Sequence, residues 1–310
     1  MIRNPRTTLG ETLIQLAADD ERILAVSCDS GNGGTGVFGK AYPDRYIECG
    51  IMEQSAVSLC AGLAQSGFIP YIAIICPFLT MRAYEQIRDD IGFANSCVKL
   101  IGTGAGLGYN TLGQTHEATE DLALMRTIAN LHIYCPADSA EVSAVAQTVT
   151  GNGVPTYVRM PIKPMADIDR RGAAFTPDEP MVLREGTDAA LYVTGTSVRE
   201  ALKAADILEA ENIHIRVIEI CRIKPMDDAQ VAAYAQGCRS VFTLEEHGRA
   251  GGFGEAVASA LAVCGVGARV HLIAVPETNK LVTGPYSEVL DYYGLSGNKV
   301  AETIKTQLGA

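Results

Sequence analysis

Arg45-Tyr46-Ile47-Glu48-Cys49-Gly50-Ile51-Met52-Glu53-Gln54 is a short run of mixed polarity closed by a glycine turn, with a carboxylate just beyond it. Behind Glu53, the residues Ser55, Val57, Leu59, Ala61, Gly62 and Leu63 form a helix of small side chains. Taken alone, a Glu at a helix start complements the helix dipole. Delivered by a tight glycine turn to the mouth of a small-residue helix, it also suits a group that holds a proton beside a bound heterocycle.

Outward from this stretch, strands and helices alternate along the whole chain. Leu9, Leu13 and Leu16 predict a helix over 8–18, and 23–27 reads as a strand. The continuous apolar run over 71–76 is what a strand covered on both faces of a parallel sheet requires. Ala83, Ile87 and Ile91 share one face of a helix predicted over 79–91. Strands are predicted at 98–101, 131–135 and 156–159, with a helix over 117–126. Asp138-Ser139-Ala140-Glu141 opens another helix with capping-box spacing. Pro161, Pro164, Pro177 and Pro180 then fall among scattered charges with little periodicity. We place a linker at 166–185, between a unit at 1–165 and a second at 186–310. The second unit has predicted strands at 189–194, 214–220, 240–244 and 270–274, with helices between them. The expected fold class is α/β, two successive domains, each with a mostly parallel sheet flanked by helices.

Bulk properties narrow the function. A length of 310 residues suits about two domains. The net charge of -11 leaves no basic stripe to neutralise phosphates, which argues against nucleic acid. One or two local arginines could still hold a small anion. The nine cysteines are odd in number and mostly lie in apolar runs, with no Cys-x-x-Cys pair. They read as buried thiols in a reducing cytosol. With neither a secretory leader nor a spanning apolar run, the expectation is a cytoplasmic protein off the membrane.

Three segments fall at carboxyl ends of strands, where open α/β sheets place ligands. The first, Cys28-Asp29-Ser30-Gly31-Asn32-Gly33-Gly34-Thr35-Gly36, is either a surface loop or a backbone that approaches a ligand closely. The second is the Glu53 turn. The third runs from Thr103-Gly104-Ala105-Gly106-Leu107-Gly108-Tyr109-Asn110 to Thr111-Leu112-Gly113-Gln114-Thr115-His116-Glu117. Its glycines lack the dinucleotide-binding spacing, and no helix opens directly after them. His116 alone would suit a cap as well as an acid catalyst. His132, His214 and His271 sit in strand patterns and read as structural.

The ordered set resembles the thiamine-diphosphate enzymes of the transketolase group. Asp44 to Gln54 resembles the segment that carries their cofactor glutamate. Phe78-Leu79-Thr80-Met81-Arg82-Ala83-Tyr84-Glu85-Gln86, Gly113-Gln114-Thr115-His116, and Leu244-Glu245-Glu246-His247 with Gly251-Gly252 recur there in the same order. The chain is similar throughout to the pyrimidine-binding and C-terminal domains of transketolase and of 1-deoxyxylulose-5-phosphate synthase. The group's Gly-Asp-Gly segment and following Asn, which hold Mg²⁺ and the diphosphate, have no counterpart. The resemblance therefore implies the C-terminal subunit of a split transketolase. An N-terminal subunit would supply the pyrophosphate-binding domain and the Mg²⁺ ligands, in a heterotetramer with two copies of each chain.

By this resemblance, Glu53 shares a proton with the aminopyrimidine ring of thiamine diphosphate, and Phe78 stacks on it. Asp29 and Ser30 approach the thiazolium. His116 stabilises or protonates an oxygen of the sugar substrates. Arg159 grips the far anionic end of the sugar, and Arg82 is a second cationic contact or the partner of a carboxylate. Two positions depart from the group. Leu112 stands where an Asp reads a substrate hydroxyl, and Gly104 lies near a usual His or Arg for substrate phosphate. These departures count against ordinary pentose phosphates and leave room for a differently substituted ketose, for example a branched or sulfonated sugar. Two further readings stay open: the β subunit of a 2-oxoacid dehydrogenase, and an assembly subunit without chemistry of its own. The second unit carries no expected chemistry. Glu246 and His247 are either interface residues or a solvated strand end.

Overall fold

The computed structural model describes residues 2–29, 33–277 and 282–309. The chain opens with β1 (Ile2–Arg3), α1 (Pro5–Asp19), β2 (Ile23–Ser27), α2 (Thr35–Ala41), β3 (Tyr46–Glu48), α3 (Glu53–Gln65) and β4 (Ile69–Ile75). The next segment is helical with wide π-type turns, Phe78–Arg82 and Ile87–Phe93, around one α turn, α4 (Tyr84–Gln86). Then follow β5 (Lys99–Thr103), α5 (Asp121–Arg126), β6 (His132–Tyr134), α6 (Ser139–Thr150), β7 (Thr156–Met160) and β8 (Met165–Ala166). The second half holds β9 (Met181–Arg184), β10 (Ala189–Val193), α7 (Val198–Glu209), β11 (Ile215–Glu219), β12 (Arg222–Lys224) and α8 (Asp228–Tyr234). It ends with β13 (Ser240–Gly248), α9 (Phe253–Val263), β14 (Arg269–Val275), α10 (Tyr286–Tyr292) and α11 (Gly297–Leu308).

Two sheets organise these elements. One has seven strands in the order β12-β6-β7-β5-β4-β2-β3, all parallel except β12. The other has five in the order β14-β13-β10-β11-β9, parallel except for β9 at its edge. The α/β class is as expected. Central strands β2, β5, β7 and β10 are buried at every position; β10 reads as an unbroken apolar run, whereas β5 and β7 also bury Lys99 and Arg159. Helices α1 and α6 cover one face of the first sheet through Leu9, Leu13, Val142 and Val145. The opposite face packs on α3 through Ala56, Val57 and Cys60, and on Leu79, Ala83, Ile87 and Ile91. Among the described residues no helix is long and apolar enough to cross a membrane.

The two halves are joined more tightly than a flexible linker would allow. Strand β12 leaves the second half and pairs with β6 of the first sheet. Within the segment read as a linker, β8 pairs with β1. Arg170 reaches back to the start of α6, where it bonds Asp138 at 3.0 Å and pairs with Glu141. The capping box is present with a shift: Asp138 accepts from the Glu141 N–H at 2.9 Å, while Glu141 accepts from Ala137 rather than from Asp138.

Candidate functional site

The loops after β2, β3, β4 and β5 all leave the carboxyl edge of the first sheet, and those strands are neighbours in it. Glu53 is the first residue of α3, after Gly50 turns the chain at φ 72°. That left-handed turn is what a glycine permits. Glu48, at the end of β3, pins the turn. Its carboxylate accepts from the N–H groups of Asp29 at 2.7 Å and Gly50 at 2.9 Å, and from the Tyr46 hydroxyl at 3.0 Å. Partial burial opposes its charge, but these donors outweigh burial and hold its pKa below the usual carboxylate value. Glu48 was not anticipated as a site residue. Its signal was local: an acid two residues before the turn glycine.

Glu53 is 4% exposed. Its Oε1 accepts from Arg82 Nη1 at 2.6 Å, and among the described residues its Oε2 has no partner. The Arg82 guanidinium lies 4.6 Å from the centre of the Phe78 ring. Phe78 in turn meets His116 edge-on, with ring centres 5.1 Å apart. The Tyr109 ring centre also lies 5.9 Å from that of His116. Thr115 Oγ1 lies 2.9 Å from His116 Nδ1. Glu53, Arg82, Phe78 and His116 therefore form one continuous cluster, although they come from three loops. Arg82 takes the carboxylate-pairing role. Asp29 is exposed at the rim, tied by its backbone to Glu48. Ser30 lies outside the described residues.

The segment 103–118 folds back on itself beside this cluster. Gly106 and Ala118 form an antiparallel bridge, and the N–H groups of His116 and Glu117 both donate to Gly113. Leu112 is 53% exposed at the tip. The departure at Gly104 has a steric counterpart. Its φ is 82°, and a β-carbon there would collide with the Tyr109 ring. The aromatic ring fills the space that a larger residue 104 would need.

Arg159 is corrected by the structure. Its side chain is 2% exposed and bonds the buried Asp121 carboxylate through Nε at 2.8 and 3.1 Å. Its Nη2 donates to the carbonyls of Ala118 at 2.6 Å and Glu246 at 3.0 Å. A guanidinium engaged in this way inside the protein does not reach a substrate anion. Glu246 and His247, at 2% and 0% exposed, are not a solvated strand end but part of the contact between the halves. Among the described residues no group of three or more His, Cys, Asp or Glu side chains is disposed to hold a metal ion.

Glu117, next to His116, was also not anticipated. It lines a cavity of about 370 Å³ between the halves, with Leu107, Gln114, Gly248 and Tyr293. It is 4% exposed, and its Oε1 is unpaired among the described residues. Burial, then the nearby carboxylates of Glu120 and Glu246, raises its pKa to about 7. The folded chain thus keeps a proton that an unfolded Glu loses near pH 4.3, to use about the ordinary value. Its contribution to stability is complete below that value and is lost as the pH rises through about 7. Glu117→Gln should be neutral near pH 4 and stabilising by about 1–3 kcal/mol at pH 8. Urea unfolding at the two pH values checks this, and an equal gain at both would refute it.

Comparison with known proteins bears on the whole chain. Residues 3–164 match the family described as transketolase, pyrimidine binding domain, and residues 178–300 match transketolase, C-terminal domain. A putative transketolase C-terminal section from Methanocaldococcus jannaschii is 32% identical over 98% of this chain and 96% of its own. One of the subunits of apulose-4-phosphate transketolase from Phocaeicola vulgatus is 32% identical over 96% of this chain and 95% of its own. A solved structure described as a split gene transketolase, inactive beta4 tetramer, superposes with a TM-score of 0.86 at 31% identity, covering 99% of this chain and 98% of that one. On this likeness, which spans both units, the chain belongs to the transketolase family, as a transketolase-type polypeptide built of the pyrimidine-binding and C-terminal domains.

Proposed function

We propose that this chain is the C-terminal subunit of a thiamine-diphosphate-dependent transketolase that moves a two-carbon ketol unit between sugars. It works with a separate N-terminal subunit, which supplies the diphosphate and Mg²⁺ site. The observation that carries this reading is Glu53: a nearly buried acid with one oxygen held by Arg82 and the other unpartnered among the described residues, linked through Arg82 to the Phe78 ring and so to His116. That donor set fits an aminopyrimidine, which offers a ring nitrogen to the acid and a flat face to the aromatic ring. When bound, thiamine diphosphate supplies the carbanion chemistry.

The protein's own residues then do three things. Glu53 holds a proton against the ring nitrogen, and Arg82 keeps its carboxyl group oriented. Phe78 fixes the plane of the ring. His116, beside Phe78 and Tyr109, is set to donate a hydrogen bond or a proton to a sugar oxygen.

Several observations support a companion chain. Ile51 and Met52 at the Glu53 turn are 73% and 48% exposed, and Leu59 of α3 and Met81 beside Arg82 are exposed as well, at 41% and 40%. That a related split-gene chain is described as an inactive beta4 tetramer supports inactivity of such a chain alone. We infer a heterotetramer with two copies of each subunit. All nine cysteines are free, which supports a cytoplasmic location. Leu112 and the Tyr109 ring favour a phosphorylated or sulfonated sugar other than the common pentose phosphates.

The test is reconstitution. The chain alone should show no ketol transfer and bind thiamine diphosphate weakly. Mixed with its companion, it should gain transfer activity by at least about 100-fold, given the range that assembly of a catalytic site provides. Full activity from the isolated chain, or pyruvate decarboxylation in place of ketol transfer, would overturn the reading.

A further inference from the structure

We propose that Glu246, with the segment Glu246–Gly252 of the C-terminal domain, is a positioning device for the loop that carries His116. This rests on the role given to His116 above. It assigns a task in the reaction to a domain that, among the described residues, brings no side chain to the Glu53 cluster.

The argument starts from the motif Glu245-Glu246-His247 followed by Gly251-Gly252. Its parts point in two directions. Glu245 faces its own domain: it accepts from the N–H groups of Phe253 at 2.6 Å and Gly254 at 2.7 Å, capping α9. The rest faces the first domain. Glu246 Oε2 accepts from the Leu107 N–H at 3.0 Å, and the Glu246 carbonyl accepts from Arg159. His247 Nε2 accepts from the Ala123 N–H at 3.3 Å, while Nδ1 lies 2.6 Å from the Gly248 carbonyl. That network requires the neutral tautomer with its proton on Nδ1. Gly248 N–H donates to the Thr119 carbonyl at 2.7 Å. Arg126 bonds the carbonyls of Gly251 and Gly252. Residues 107, 119 and 123 are thus all held from one strand end, and they bracket His116 in sequence.

Two further observations show that the contact is built rather than incidental. Gly106 has φ 57°, and a β-carbon there would collide with the Glu246 side chain and lie 2.8 Å from its carbonyl oxygen. A β-carbon at Gly251 would come within 2.6 Å of Ala123 Cβ. Glycines stand on both sides of the seam where only a hydrogen admits the approach. Glu246 is itself held from behind by the Tyr286 hydroxyl. The path to His116 is short. Glu246 fixes Leu107 at the neck of the loop, the Gly106–Ala118 bridge closes that neck, and Tyr109 stands against the His116 ring within it. Loosening the neck lets His116 shift relative to Glu53 and Phe78, and displacement of a reacting group by about 1 Å is worth on the order of 100-fold in rate.

The experiment uses the reconstituted two-subunit enzyme. Glu246→Ala should lower kcat by about 30-fold or more, with half-saturation by thiamine diphosphate changed less than about twofold. Glu246→Gln, which keeps one acceptor for the Leu107 N–H, should recover most of that loss. In a His116→Ala background the further effect of Glu246→Ala should vanish, because a residue that acts through another has nothing left to position. Leu208→Ala, in the distant core of the same domain, serves as a control: it should lower Tm at least as much and leave kcat within about twofold. If Glu246→Ala does not fold, Gly106→Ala decides, because its β-carbon would collide with Glu246, and it must lower kcat more than Leu208→Ala does. The proposal is overturned if Glu246→Ala keeps kcat within about threefold, if its loss persists undiminished without His116, or if Leu208→Ala reproduces it. His116→Ala measured alone separates the two claims. Full activity there overturns the role of His116 and this proposal with it, whereas loss there without loss in Glu246→Ala overturns the proposal alone.

Discussion

Replacing Glu53 by Gln leaves the fold intact and lowers ketol transfer by at least about 1,000-fold in the assembled enzyme, within the range of a lost general acid–base group. The amide keeps the size and the acceptor oxygen facing Arg82 but cannot exchange a proton with a ring nitrogen. Stability should hardly change. The ion pair lost is between a buried acid and an arginine that is 45% exposed, and such half-open pairs are worth about 1 kcal/mol or less. Arg82→Gln should therefore be the milder change, because it loosens the acid without removing it. The measurements are kcat for the reconstituted enzyme, its Tm and its affinity for thiamine diphosphate. A Glu53→Gln enzyme with more than about a tenth of normal turnover would remove Glu53 from the chemistry. A large fall in Tm with it would show that the acid is there to hold α3 instead.

The reach of the sequence can be judged residue by residue. Buried parallel strands announce themselves because both faces must be apolar, so 69–75 and 189–193 are readable without a structure. The ordered motifs singled out Glu53, Phe78 and His116, and the structure links them in a chain: Arg82 bonds Glu53 and lies over the Phe78 ring, which meets His116 edge-on. Ala83, Ile87 and Ile91 do share a buried face, but the turns around them are wide. Over so short a stretch the apolar spacing does not separate π from α winding. Strand β3 lies at a sheet edge with half-buried residues and gives no alternation to read. Strand β12 offers one apolar residue, Ile223, between Arg222 and Lys224, and its partner β6 lies some ninety residues earlier. Helix α11 has a readable pattern in Val300, Ala301 and Ile304 behind a Ser296 cap. Arg159 misled because the family resemblance alone assigned it to the anionic end of the sugar. Only the fold shows that Asp121, 38 residues away, is its partner.

That ion pair yields the largest expected loss of stability. The Arg159 and Asp121 side chains are 2% and 0% exposed, and the Tyr157 hydroxyl donates to the same carboxylate at 2.6 Å. Removing one charge leaves the other buried without compensation, so Arg159→Met or Asp121→Ala should each cost about 3–5 kcal/mol. Arg159 also carries the carbonyls of Ala118 and Glu246, so Arg159→Lys is not a conservative change: an ammonium cannot reproduce the fork of a guanidinium. The double variant should lose clearly less than the sum of the single losses, because no unpaired charge remains. Urea unfolding of the four proteins in the cycle measures this directly. The alternative role makes the opposite prediction. An Arg159 that gripped a sugar anion would, when replaced, raise KM for the sugars while leaving Tm unchanged. The buried pair predicts a fall in Tm first, with activity following the folded fraction and the geometry of the His116 loop that Arg159 helps to anchor through Ala118. A stable Arg159→Met protein with a raised KM would return this arginine to the substrate channel and remove it from the core.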